Sequence, residues 1–178
     1  MSIVGTIHFA ASVVSIVVGA AVLSQGPKGG RQHRQLGWLF VAAMLTVNAT
    51  AFMIYRLFGG FGPFHAAAII SLVGLVAGTV SARSARRARA ARQVFRRAHR
   101  VELHYWWMTF SYVGLIAALA SEAITRLPAT RAIAGGAGAV FGAAVGGATA
   151  LVFAVGSYLI VTRRARSLAP FGVGQERG

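Results

Sequence analysis

The sequence predicts an all-α, polytopic membrane protein built as a bundle of five transmembrane helices. Of its 178 residues, 56% are apolar and only 12% are charged, and the mean hydropathy is +0.65. A soluble domain has about a quarter of its residues charged, so this inventory cannot cover a water-facing surface. Five apolar stretches approach the roughly 20 residues that cross the hydrocarbon core. Because lipid offers no partners to backbone amides, each stretch is predicted to be helical.

The five spans and two basic segments form a single transmembrane domain. The first span is interpreted as a retained helix, because it lacks a basic start and its apolar run exceeds the about 7–15 residues of a signal peptide. The predicted spans cover about residues 3–24, 36–58, 64–82, 103–124 and 136–162, with an arginine-rich cytoplasmic loop at 83–100 and a cytoplasmic tail at 163–178.

The basic residues predict how the chain crosses the membrane. Fifteen of the 18 Lys and Arg residues follow the first, third or fifth span, and only Arg56, Arg126 and Arg131 fall on the other side. Cytoplasmic loops of membrane proteins carry the excess of basic residues. The distribution therefore predicts an N-terminus outside and a C-terminus inside, in the bacterial cytoplasmic (inner) membrane.

Two pairs of histidines indicate an internal duplication. His8 and His65 lie near the outer ends of the first and third spans, and His33 and His99 precede the second and fourth spans. Two similar hairpins that run in the same direction are typical of a repeat about an axis along the membrane normal. The pattern predicts a four-helix pseudo-repeat with the glycine-rich fifth helix outside it.

Small residues four positions apart predict where helices pack closely. Gly138, Gly142 and Gly146 form a ridge on the fifth span, and Gly74 and Gly78 lie on the third. The missing side chains let another backbone approach. Two interpretations stay open, namely packing within the bundle and docking onto another membrane protein. The fifth helix is the better candidate for docking.

The segment between the third and fourth spans combines eight arginines with no acidic residue. Because arginine and alanine favour helix, the segment is predicted to extend the third helix or to lie along the membrane. Anionic lipid headgroups are the expected partner, at about 1 kcal/mol per basic residue. An acidic face on a neighbouring protein is the alternative. Nucleic acid is not expected, because single-strand binders need stacking aromatics and only Phe95 is present. The eight residues are Arg83, Arg86, Arg87, Arg89, Arg92, Arg96, Arg97 and Arg100.

The histidines are candidate cofactor ligands. Paired histidines on a four-helix bundle resemble the plan of membrane b-type cytochromes, and imidazole is a common axial haem ligand. Residues five apart on a helix point about 140° from each other, so His99 and His104 cannot share one haem face. The simpler interpretation is that interfacial histidines bond headgroups, backbone or one another. The candidates for cofactor binding are His8, His65, His33, His99 and His104.

A second hypothesis for the outer side is a divalent metal site. His8, His65 and Glu122 all lie near outer helix ends. Together they would supply two nitrogen ligands and one oxygen ligand, a set that suits zinc or iron. The site requires three helix ends to converge. The same groups would also serve proton or quinone handling.

The composition excludes several kinds of chemistry. The chain has no Cys and no Asp, and its only acidic side chains are Glu102, Glu122 and Glu176. Disulfides, thiolate metal sites, cysteine nucleophiles and a Ser-His-Asp triad are therefore absent. The sequence leans against an enzyme without excluding one.

Three segments carry a family resemblance. They are Lys28-Gly29 with the run Gln32 to Trp38, then Gly62 to His65, and finally His99-Arg100 with Ser111 to Leu115, Glu122 and Arg126. Together they resemble uncharacterised bacterial "predicted membrane protein" families, each a domain of unknown function, over about residues 5–130. The resemblance implies a small polytopic inner-membrane protein in which the histidines and the outer glutamate recur, and it implies no activity. The fifth helix lies outside the part that resembles them.

The function that the sequence favours is a non-enzymatic accessory or structural subunit in a larger bioenergetic membrane complex, of the electron-transport or photosynthetic type. The scarcity of catalytic groups and the additional glycine-ridged helix favour this interpretation. The alternatives are a small b-type haem- or metal-binding redox protein that uses the paired histidines, and a proton-coupled transporter. The expected partners are anionic lipids at the cytoplasmic face and other membrane-protein subunits.

Overall fold

Helices make up almost all of the chain that the computed structural model describes, which is residues 2–25, 28–54, 63–126 and 138–173. Among these residues there is no strand, so the predicted all-α class is confirmed. The described helices are α1 (Ile3–Ser24), α2 (Arg31–Ala51), α3 (Pro63–Ala90), α4 (Val94–Arg126) and α5 (Gly138–Leu168), followed by a 3₁₀ turn at Ala169–Phe171.

Four of these helices, α1, α3, α4 and α5, are long and apolar enough to cross a membrane. The apolar part of α2 is shorter, because Arg31 and Arg34 occupy its first turns and the helix ends at Ala51. The second span was predicted to extend to residue 58, whereas α2 ends at Ala51. Residues 55–58 lie outside the described part of the chain. In the opposite sense, α5 continues past the predicted end at 162 to Leu168.

The helices pack as two hairpins with a fifth helix at one side. α1 packs on α2 and α3 packs on α4, while α5 lies along α4. The hairpins meet through smaller contacts of α2 with α3 and of α1 with α4. The apolar core fills this junction, and its buried residues are Val18, Phe40, Met44, Leu75 and Leu115.

The contact between α1 and α4 depends on one glycine. A Cβ atom at Gly19 would overlap the ring of Tyr112 and lie 3.0 Å from Phe40. The Tyr112 hydroxyl donates a 3.2 Å hydrogen bond to the carbonyl of Ile16, which fixes the ring against α1. One turn before Gly19, Ser15 is fully buried. The small-residue face of α1 is therefore a contact surface within the bundle.

A second line of small residues joins α3 to α4. A Cβ at Gly74 would lie 2.9 Å from Ser111 Oγ, and one at Gly78 would lie 2.6 Å from Met108 Sδ. Toward the end of α3 this line continues through Ser81, Ala85 and Ala88, which are all buried. Their i, i+4, i+7 spacing keeps them on one helix face. Ala85 and Ala88 of the arginine-rich segment thus lie on the buried face of α3, whereas the arginines of this helix are exposed.

The arginine-rich segment at 83–100, predicted as the cytoplasmic connection between two spans with helical character, is helical except at its centre. α3 ends at Ala90 and α4 begins at Val94. Arg92 adopts φ 55°, the left-handed conformation that closes many helix ends. The N–H of Gln93 then donates to the carbonyl of Ala88 at 2.9 Å. The two helices are joined by a tight turn, and the segment forms the end of a helical hairpin.

The basic segments meet at one end of the bundle, called the basic end below. Lys28 Nζ donates 2.8 Å hydrogen bonds to the carbonyls of Val22 and Leu23 and so caps the end of α1. After α5, the ring of Phe171 lies 5.7 Å from the guanidinium carbon of Arg97. The same ring lies beside Gly29, in the connection between α1 and α2. The structure therefore joins the three segments that were assigned to one side of the membrane.

We expect Gly19→Ala to destabilise the bundle by about 1–3 kcal/mol, the usual cost of overpacking, because the Tyr112 ring cannot move without losing its hydrogen bond. Gly37→Ala is the matched control. A Cβ at Gly37 has no neighbour within 4 Å, so this change removes a mid-helix glycine without a clash and stabilises by up to about 1 kcal/mol. Thermal unfolding of both variants in detergent measures the difference. Equal melting temperatures would contradict the role given to Gly19.

Candidate functional site

Two of the predicted histidines come together at the basic end. The ring centroids of His33 on α2 and His104 on α4 are 6.4 Å apart, with the rings nearly perpendicular at 81°. His104 Nδ1 lies 2.9 Å from the carbonyl oxygen of Gly78. A carbonyl only accepts, so Nδ1 carries the proton and Nε2 keeps its lone pair. His33 Nδ1 is buried and has no hydrogen-bond partner within the described ranges.

Burial keeps His33 in its neutral form. The pKa of His33 is lowered from 6.5 to about 4, chiefly by loss of solvent and to smaller extents by His104 and Lys28, in that order. Burial also lowers the pKa of Lys28, whose ammonium caps α1. Near neutral pH the His33 imidazole is therefore uncharged, in the form in which imidazole binds metals.

The fifth histidine, His99, does not join this pair. Its side chain is exposed in the first turns of α4, whereas His104 faces α3. The inner pair is therefore His33 with His104. The duplicated histidine pattern had instead paired His33 with His99. A small residue at position 78 brings α3 and α4 close enough for His104 to reach the α3 backbone, which only the fold reveals.

On the opposite side of the bundle, His8 and His65 both contact the last turn of α2. His8 Nδ1 lies 2.9 Å from Thr50 Oγ1, whose own proton goes to the carbonyl of Thr46 at 2.7 Å. Thr50 therefore accepts from His8, and Nε2 of His8 keeps its lone pair. His65 is 3% exposed, and its ring lies 6.3 Å from that of Phe52.

The outer metal hypothesis required His8, His65 and Glu122 to converge. Nowhere in the described part of the chain do three His, Cys, Asp or Glu side chains gather so that they could hold a metal ion. Each of the two outer histidines instead contacts a different residue at the end of α2, Thr50 for His8 and Phe52 for His65. Glu122 is half-buried near the end of α4. The structure thus does not assemble these three residues into one ligand set.

Asn48 is the polar residue placed deepest in the predicted second span, and it links α2 to α3. Its side chain is 3% exposed. Its Nδ2 donates to the carbonyl of Met44 at 2.8 Å and to Ser71 Oγ at 3.3 Å. Interhelical hydrogen bonds of this type hold helices together in lipid.

α5 is attached to α4 by polar contacts that sequence reasoning missed. At the basic end, Arg164 forms an ion pair with Glu102, and its guanidinium carbon lies 5.9 Å from the Trp106 ring. One turn away the Tyr105 hydroxyl donates to the carbonyl of Ile160 at 2.7 Å. The only signal in the sequence was the rarity of carboxylates. An acidic side chain among so many arginines has a partner, but the sequence does not say which arginine it is.

The small-residue ridge of α5 has a different environment from Gly156 on the same helix. A Cβ at Gly156 would lie 2.6 Å from Val113, so α5 touches α4 closely there. Gly138 is the first residue of α5. Further along the ridge, a Cβ at Gly142 or Gly146 would have no described atom within 4 Å. The ridge is thus not used for packing against the described part of the bundle, whereas Gly74 and Gly78 are.

The arginines of the hairpin are mostly exposed. Arg83 is the nearest to the apolar part of α3, and its guanidinium carbon lies 5.2 Å from the ring of Trp38 on α2. Arg97 is half-buried beneath Phe171 and Arg100 is half-buried as well. The exposed arginines are Arg83, Arg86, Arg87, Arg89, Arg92 and Arg96.

The sequence pattern of one family, described as "Predicted membrane protein (DUF2306)", matches residues 5–160. The chain belongs to this family. The match confirms a membrane protein with several apolar helices. It also includes α5 as far as residue 160, whereas the resemblance noted in the sequence stopped near residue 130 and left the fifth helix out. The family is one of unknown function. No curated protein and no solved structure matches the chain.

We expect the stability of the protein to fall as the pH drops from about 6.5 to about 4. In this range His33 is protonated in the unfolded chain but not in the folded chain. Stability falls with decreasing pH wherever the unfolded state binds more protons than the folded state. Melting temperatures at about pH 7.5 and about pH 5 measure the loss. His33→Asn removes this proton and should show a smaller loss. An identical drop in both proteins would contradict the neutral, buried state of His33.

Proposed function

We propose that the protein is a non-enzymatic accessory subunit that docks in a larger membrane complex through α5. The observation that supports this is the exposure of that helix. In its most apolar stretch only 6% of the residues are buried, compared with 33% for α3 and for α4. The attachment of α5 to the bundle runs along α4, which leaves the rest of its surface available to another transmembrane helix.

The ridge residues make α5 suited to a helix partner. Lipid tails supply no hydrophobic drive for helix association, so helices in membranes associate where small residues allow close backbone contact. Gly142 and Gly146 offer such a surface, and within the described part of the chain nothing occupies it. The proposed occupant is a transmembrane helix of a different subunit, with small residues of its own.

The partner that we propose is a bioenergetic complex of the electron-transport or photosynthetic type in a bacterial inner membrane. A supporting role is favoured by the shortage of free carboxylates, because Glu102 is already paired with Arg164. We also propose that the arginines closest to the membrane, Arg83 and Arg86, bind anionic lipid headgroups. The contact of Arg83 with Trp38 supports this, since tryptophan is enriched at headgroup depth.

We expect Gly146→Leu to release the protein from its complex on native gels of gently solubilised membranes of its host, with roughly half or more shifting to low mass, because the added side chain separates the helices. Ala144→Leu is the control. It adds a bulky side chain to an exposed residue of the same helix, about 160° around it.

The native protein migrating alone would contradict docking. A larger band that contains only copies of this chain would contradict a different subunit as the partner. Equal effects of the two leucines would contradict the ridge as the contact surface.

A second candidate function, binding of haem or a metal by paired histidines, is favoured by one observation. Two imidazoles on a single ion, each at about 2.0 Å, place their ring centroids about 6 Å apart. The centroids of His33 and His104 are 6.4 Å apart, and His104 keeps Nε2 available for a ligand. The proton-coupled transporter remains a prediction from the sequence.

If the histidine pair binds haem, protein purified from its host shows a Soret absorption band, and His104→Ala abolishes it. Since His104 also bonds Gly78, its loss affects packing, and His33→Ala serves as the second variant because His33 makes no described hydrogen bond. A metal instead of haem is detected by elemental analysis, with the same dependence on both residues. Colourless, metal-free protein would refute this candidate and leave the docking proposal intact.

A further inference from the structure

The end of the α3–α4 hairpin presents apolar side chains among arginines. Between Arg92 and Arg96 the chain exposes Val94 and Phe95, whose exposed fractions are 71% and 72%. Both flanking arginines and Gln93 are exposed as well. We call these five residues, 92–96, the hairpin tip. An exposed aromatic ring next to cations is typical of a binding surface more than of a solvated turn.

The hairpin tip lies beyond the membrane surface. Trp107 on α4 and Trp38 on α2 are exposed on the outside of the bundle, and Arg83 contacts Trp38. Exposed tryptophans mark the membrane interface. From Trp107 to Val94 an α-helix rises about 20 Å. The headgroup layer on each side of a bilayer is only about 5–7 Å thick. On this geometry the tip stands in water, beyond the headgroups that Arg83 and Arg86 are proposed to bind.

Within the described residues, neither Arg92 nor Arg96 forms an ion pair. From Leu57 to Val101 the sequence contains no acidic residue. The next carboxylate, Glu102, is paired with Arg164. Arg92 and Arg96 are thus available to carboxylates of another molecule, with which guanidinium groups form paired hydrogen bonds.

The tip is also held in a fixed shape. Ala85 and Ala88 are buried in α3, which packs chiefly on α4, so burial continues to within two residues of the end of α3. The left-handed Arg92 and the hydrogen bond from Gln93 to Ala88 fix the turn. A surface that is ordered before binding loses little conformational entropy when it binds.

We propose that the hairpin tip is a docking site for a water-soluble protein with an acidic surface, in which an apolar pocket receives Phe95. The site is separate from the α5 ridge and does not depend on it. Charge complementarity selects the partner: Arg92 and Arg96 pair with its carboxylates, and Val94 and Phe95 supply buried apolar area. Nucleic acid is a poorer partner, because it would not bury Val94, and the single ring of Phe95 offers little base stacking.

The first test measures the position of the tip. The sequence contains no cysteine, so Gln93→Cys labels one site with a fluorophore. In nanodiscs of neutral or anionic lipid, we expect iodide in the water to quench this label and brominated lipid tails to leave it unchanged. A label at Val73→Cys, on the exposed apolar part of α3, is the control and shows the reverse. Quenching of the label at 93 by brominated lipid would overturn the proposal in favour of a membrane-bound tip.

The second test measures the chemistry of binding, using three labelled probes of equal charge. They are a peptide of alternating Glu and Leu, the same peptide with Ser for Leu, and a single-stranded DNA oligonucleotide. Binding to the full chain in neutral nanodiscs is corrected for binding to empty nanodiscs. We expect the Glu/Leu peptide to bind at least about tenfold more tightly than the other two, about 1.4 kcal/mol. Equal binding of the two peptides, or tighter binding of DNA, would overturn the proposal.

The variants locate the effect on the tip. Phe95→Ser should remove the preference for the Glu/Leu peptide, and Arg92→Gln with Arg96→Gln should weaken both peptides about tenfold or more. The matched control removes the same charge elsewhere at the basic end, by Arg163→Gln with Arg166→Gln, which are exposed at the end of α5. If the control weakens binding as much as the tip variant, the effect is due to net charge and the site is refuted.

Discussion

The close approach of α3 to α4 is the constraint on which the other features of this protein depend. Gly74 and Gly78 allow it inside the apolar part of the bundle, and Ala85 and Ala88 extend it beyond. Because lipid does not drive helices together, this contact is stabilised by dispersion forces along the line of small residues and by the hydrogen bonds beside it. Only with this spacing does His104 reach the Gly78 carbonyl, and only with it does the hairpin continue as a rigid projection.

Much of the fold could be predicted from the sequence, because apolar length and one-sided charge are direct consequences of the bilayer. The helical class and four long spans follow from composition alone. The end of α2 could not be predicted in this way, since Phe52, Met53 and Ile54 are apolar in sequence yet form a turn. The arginine-rich segment was predicted to extend the third helix or to lie along the membrane, because alanine and arginine favour helix. The structure has α3 continuing to Ala90 and α4 beginning at Val94, but the tight turn between them was not predicted.

The candidate sites were harder to predict, because they depend on which side chains meet. All five histidines were recognised, yet the duplicated pattern paired His33 with His99, while the fold places His33 beside His104. Glu102 and Arg164 are far apart in the chain and form an ion pair. Of the many arginines, Arg164 is the partner because α5 packs on α4. Sequence spacing reports faces of one helix, but the partner of a polar group is decided by the arrangement of different helices.

The hydrogen bond between His104 and Gly78 has a further consequence for the imidazole itself. The carbonyl of a neighbouring helix, and no group on its own helix, decides which ring nitrogen of His104 holds the proton. A hydrogen bond of this kind weakens steeply when donor and acceptor move apart or out of line. Sliding α3 along α4 by a single residue, about 1.5 Å, therefore releases the ring to exchange tautomers. The tautomer of His104 thus depends on the distance between α3 and α4, and nitrogen NMR of the imidazole distinguishes the two tautomers.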